Sequence, residues 1–134
     1  MNPKTNVSQV ETEFADEAFI KSVGEENFSF ASLNSILAEI RKLKGVIGYI
    51  LRSNTSAIID LAEPEKIIQY ALLSSQIYDS CQEISKQLNL GETENILVEG
   101  EKVKVLCMYL GENKLSVFLE RTATHAWIIK RFLQ

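Results

Sequence analysis

Few side chains in this sequence are of types that do chemistry, and their spacing leaves them without partners. The single histidine, His125, recurs at helical spacing with Ile128, Ile129 and Phe132, on the apolar stripe of a short segment. A general base needs a nucleophile or carboxylate within hydrogen-bond reach, and no Ser, Cys or acidic residue pairs with His125 by spacing. A structural role is expected for it. A zinc centre of the usual kind takes three or four His, Cys or carboxylate ligands; with one His and no Cys-x-x-Cys pair, none is expected. Cys81 and Cys107 lie inside apolar-patterned segments and read as buried thiols, since a free Cys packs as a small hydrophobe. Neither a Gly-x-x-x-x-Gly-Lys-Ser/Thr loop nor a Gly-x-Gly-x-x-Gly turn occurs, so the common nucleotide cradles are missing. The expectation is a binding protein without catalytic, cofactor or metal residues, not an enzyme.

Length and composition agree with that. At 134 residues, 46% hydrophobic and 24% charged, the chain suffices for one domain with its own core. Its longest apolar runs, Val46 to Leu51 and Val105 to Leu110, fall far short of the roughly 20 residues that span a bilayer. Lys4 has no apolar run behind it, so no secretory signal is expected and a cytoplasmic location follows. Charge divides the chain: residues 1 to 28 carry Glu11, Glu13, Asp16, Glu17, Glu25 and Glu26 against Lys4 and Lys21, which is the whole net charge of −4. The remainder balances, so the basic footprint of a nucleic-acid binder is absent. The acidic leader, residues 1–28, has two readings. One is a mobile arm; the other is a short helix over 11–23, with Ala15, Phe19, Ile20 and Val23 on one side, that docks on its own domain or on a partner.

The elements that must position any binding surface lie in residues 29–134. Phe30, Leu33, Ile36, Leu37, Ile40 and Leu43 make one helical stripe ended by Gly45. Val46 to Leu51 and Ala57 to Leu61 then read as a β-hairpin, in which Gly48 is a bulge, a close backbone approach or, the more common case, a simply tolerated strand glycine. Pro64 opens a long helix and Gly91 closes it. On its wheel Ile67, Tyr70, Ala71, Leu73, Ser74, Ile77, Tyr78, Cys81, Ile84 and Leu88 share one arc, expected to face the core. Ile68 and Leu72, four residues apart, fall outside that arc among Ser75, Gln76, Asp79, Gln82 and Glu83 and suggest a contact surface. After Gly91 the period becomes two, giving three strands around Ile96 to Val98, Val103 to Tyr109 and Leu115 to Leu119. The middle strand is apolar on both faces in its second half, which calls for helices on both sides of the sheet. A last amphipathic helix carries Ile128, Ile129 and Phe132, with Trp127 on its other side. Trp127 is either a partner-binding anchor or a ring folded back on the domain.

The order α-β-β-α-β-β-β-α, together with Leu43-Lys44-Gly45-Val46-Ile47-Gly48-Tyr49 at the first helix-to-strand junction, resembles the roadblock / dynein light chain domain. The likeness spans residues 29 to 133, and the longin and profilin folds share much of the layout. It departs at the first hairpin tip, where Arg52-Ser53-Asn54-Thr55-Ser56 replaces the Asp-Gly type turn common in such domains. The resemblance implies an α+β sandwich, a five-stranded antiparallel sheet with helices on both faces. It also implies a non-enzymatic homodimer, or heterodimer with a similar domain, in which long helices pack together and edge strands join the two sheets. On this chain that surface would comprise Ile68, Leu72, Ser75 and Asp79 of the long helix with Ile96 and Val98 of the strand after it. The implied function is regulation of, or a binding platform for, a Ras-like small GTPase; the alternative is a passive adaptor in a larger transport or signalling complex. Neither Arg41, Arg52 nor Arg121 is assigned as an arginine finger.

Overall fold

Gly45 marks where the helical period stops, and its backbone carries the turn with a positive φ of 89°, a conformation glycine adopts without steric penalty. The computed structural model describes residues 30–133; both readings of the acidic leader lie outside the described residues. Helix α1 (Phe30–Arg41) precedes that turn, and Leu33, Leu37 and Ile40, spaced as its stripe requires, are completely buried. Strands β1 (Val46–Arg52) and β2 (Ala57–Leu61) follow as an antiparallel hairpin. Its tip is closed by Ser53: the Ser53 N–H donates to the Ser56 carbonyl at 2.9 Å, and Ser53 Oγ accepts from the Thr55 and Ser56 N–H groups. A serine side chain thus supplies the local hydrogen bonds that stabilise the turn.

Of the readings open for Gly48, the structure shows a close backbone approach. A Cβ there would lie 2.2 Å from the Asp60 carbonyl oxygen and 2.7 Å from Leu61 Cα, where β1 shifts register against its other neighbour between Val46 and Gly48. Beside it Arg41 ties the end of α1 to the hairpin, with Nε 3.2 Å from Asp60 Oδ1 and Nη1 donating to the Val46 carbonyl.

Pro64 opens a single 3₁₀ turn (Pro64–Lys66) that runs directly into α2 (Ile67–Leu88). The stop differs from expectation by two residues. Asn89, not Gly91, is the first left-handed residue, at φ 53°, and its N–H bonds back to the Ser85 and Lys86 carbonyls. Strands β3 (Asn95–Glu99), β4 (Val103–Leu110) and β5 (Asn113–Glu120) form the meander, and α3 (Ala126–Leu133) ends the described chain. Five antiparallel strands in the order β2-β1-β5-β4-β3 make one sheet. Leu33, Leu37, Ile40, Ile128 and Phe132 pack on one face of it, while Ile67, Tyr70, Ala71, Ile77 and Tyr78 of α2 pack on the other. This is the α+β sandwich with helices on both faces, and the doubly apolar second half of β4 fills both core layers.

Candidate functional site

Helix α2 is held to the sheet by a narrow and partly polar stripe. Its fully buried residues are Ser74, Tyr78 and Ser85. Ser74 Oγ meets Ser116 Oγ at 2.5 Å, Ser85 Oγ meets Thr93 Oγ1 at 2.6 Å, and the Tyr78 hydroxyl donates to the Leu115 carbonyl at 2.6 Å and the Met108 carbonyl at 3.1 Å. Tyr70 stacks on Phe118 with ring centroids 4.5 Å apart, and Tyr78 meets Tyr109 edge-on. Burial, reinforced by the neighbouring Cys107, pushes the Tyr78 phenol far above its ordinary range, and burial likewise raises the Cys107 thiol. Both groups are therefore neutral hydrogen-bonding and packing elements at physiological pH.

A narrow attachment leaves much apolar surface uncovered. Leu73, Ile84 and Leu88, assigned by the wheel to the core, are 37%, 51% and 64% exposed. At about 100° per residue they lie roughly 60° to 120° round the helix from the Ser74–Tyr78–Ser85 line. Among the described residues no strand extends beyond β3 to meet them. On the opposite flank Ile68 and Leu72 are 75% and 60% exposed. Local contacts fix which flank is which. Arg52, at the end of β1, donates from Nη1 to Ser75 Oγ on the Ile68 side, whereas Cys81 and Ser85 reach Thr93, just before β3, on the other. Between the flanks, residues 67–82 carry a single charged side chain, Asp79, so the outward surface has little to repel an apolar neighbour.

The six expected interface residues fall into two groups. Ile68, Leu72, the half-buried Ser75 and the exposed Asp79 share the flank toward β1, while Ile96 and Val98 stand on β3. Ile96 turns inward onto the α2 core layer, Val98 is exposed, and Leu97 points to the opposite face of the sheet. Among the described residues strand β3 pairs only with β4, leaving a row of backbone donors and acceptors along its outer edge. It contains neither Lys nor Pro, the residues that commonly blunt such edges; its one charge, Glu99, is paired with Arg121 at 3.1 Å. The open edge and the overhanging Leu73, Ile84 and Leu88 flank therefore adjoin. Exposure of that second set is the feature sequence reasoning missed. The width of the arc, about 160° on the wheel, was the available signal, because a narrow line of contacts with the sheet cannot cover so wide an arc.

The remaining chemical residues resolve locally. His125 precedes α3, its carbonyl accepts the Ile128 and Ile129 N–H groups, and its Nδ1 lies 3.0 Å from the amine of Lys104, which is itself buried. Among the described residues no group of three or more His, Cys, Asp and Glu is placed to hold a metal, and no helix is long and apolar enough to cross a membrane. Trp127 is 41% exposed and lines a hollow of about 310 Å³ with Leu43, Val46, Leu119 and Ala123, so the ring is partly folded back and partly presented. Residues of that hollow pack with the α1 and α3 layer, on the opposite face of the sheet from α2.

No protein-family model and no curated protein matches this sequence. Among solved structures, the chain is similar to the crystal structure of a roadblock/LC7 domain from Streptomyces avermitilis, at a TM-score of 0.61 and 14% sequence identity over 74% of this chain and 87% of that one. Element order, antiparallel sheet and placement of helices agree with that likeness, and the fold of this chain is the roadblock/LC7 fold.

Proposed function

We propose that this chain is a non-enzymatic, dimer-forming domain that regulates a Ras-like small GTPase or serves as its binding platform. The observation that carries the reading is the uncovered apolar surface of α2 beside the unpaired β3 edge on a roadblock/LC7 fold. Exposed apolar surface of this extent beside an open edge marks an interaction surface more often than a catalytic one. Leu73, Ile84, Leu88 and Val98 form the self-association surface next to β3, together with the inward Ile96. Ile68, Leu72, Ser75 and Asp79 extend it across the helix. A GTPase held there is regulated through the populations of its switch segments, since a bound partner shifts an equilibrium only by its differential affinity for the two states.

The test is titration of candidate small GTPases, loaded with GDP or with a non-hydrolysable GTP analogue, into the full chain, with the GTPase's own hydrolysis and exchange rates followed in parallel. Nucleotide-dependent binding or a changed rate supports regulation. Tight binding indifferent to the nucleotide points to the passive adaptor instead, and GTP hydrolysis by this chain alone overturns the non-enzymatic assignment.

A further inference from the structure

On the face of the sheet opposite α2, the hollow beside Trp127 combines apolar walls with a cationic rim. Val46 and Leu119 form its buried floor, Leu43 and Ala123 its walls, and Lys44 stands at its mouth. Lys130, three residues after Trp127, lies on the same side of α3 and is exposed. Two nearby carboxylates temper that charge: Glu39 is paired with Arg131 at 2.9 Å, and Glu120 lies beside Gly45.

We propose that this hollow is the docking site for residues 11–23 of the chain's own leader, with Phe19 and Ile20 covering Trp127. Reach allows it. The leader enters the domain at Phe30, the start of α1, whose 12 residues extend about 18 Å toward the hollow at its far end. Residues 24–29 span up to about 20 Å when extended. The route stays on one face of the sheet, whereas the outer surface of α2 lies on the other. Charge complementarity favours it as well, since residues 1–28 hold all of the net charge of −4, while Lys44 lines the hollow and the exposed Lys130 lies on the Trp127 side of α3. Tethering supplies the rest. A linker of this length holds the segment at an effective concentration on the order of millimolar, so a contact too weak to form between separate molecules is populated within one chain.

Trp127 is the only tryptophan, so its fluorescence reports the site directly in the full-length protein. In F19D/I20D, acrylamide quenching of Trp127 should rise about twofold, as expected if the tethered segment covers the ring roughly half the time, and Lys44→Glu should shift quenching in the same direction. Both effects should persist on dilution. Quenching identical in wild type and F19D/I20D overturns the proposal, as does an effect that vanishes on dilution, which would assign the cover to another molecule's leader. Unchanged melting of F19D/I20D shows that the domain itself is intact. No GTPase enters the measurement, so its outcome is separate from that of the proposed function.

Discussion

Tyr78 fastens the long helix to the sheet with one shared proton, and the opposite face of the sheet holds a second buried phenol, Tyr49. Burial, with a smaller push from Asp60 and an opposing pull from Arg41, raises Tyr49 to about 12. Both phenols bind their protons more tightly folded than unfolded, where a tyrosine titrates near 10. Their contribution is fully present below about pH 10 and is lost as pH rises through the folded values. For Tyr49 alone, a rise of two units corresponds to about 2 to 3 kcal/mol at most, lost between roughly pH 10 and 12. Urea midpoints measured from pH 8 upward should fall steeply in the wild type above pH 10, and less steeply in Tyr49→Phe. Parallel curves for the two proteins would show that Tyr49 ionises freely in the folded state.

Strands β1 and β2 come closest at Gly48, where the element and not the residue is at stake. Any side chain there collides with backbone atoms of β2, 2.2 Å from the Asp60 carbonyl, and backbone yields less than a flexible side chain. Gly48→Ala should therefore destabilise the domain toward the upper end of the ~1–3 kcal/mol typical of overpacking, lowering its thermal midpoint. A midpoint within a degree or so of the wild type would mean that the hairpin opens at negligible cost, contrary to a tight β1–β2 crossing. A glycine inside the strand left this approach open beside the more common tolerated glycine. Nothing local announced that Arg41 would reach Asp60 and the Val46 carbonyl to secure the same corner, because those partners become neighbours only when α1 lies across the sheet.

For the whole molecule, the question is what covers α2. If the flank over β3 is buried between two copies, Leu73→Asp with Ile84→Asp places uncompensated carboxylates in an apolar contact, which costs several kcal/mol, and the variant should sediment as a monomer at micromolar concentration. Ile68→Asp with Leu72→Asp tests the other flank in the same way. The pair that dissociates the protein identifies the buried flank. A wild-type chain already monomeric at that concentration would remove self-association from the proposed function and leave both flanks for other partners.

Element order, strand count and the apolar stripes of α1 and β4 were determined by the sequence alone, since hydrophobic period is a property of consecutive residues and survives any arrangement of the pieces. Other features needed the third dimension. The pairing of β1 with β5 joins segments about 60 to 70 residues apart, and the Ser74–Ser116 contact spans 42. Leu73, Ile84 and Leu88 have the same local pattern as covered residues. The ending of the described sheet at β3 leaves them exposed, because an apolar arc looks identical from within its helix whether its own domain or another molecule is to bury it.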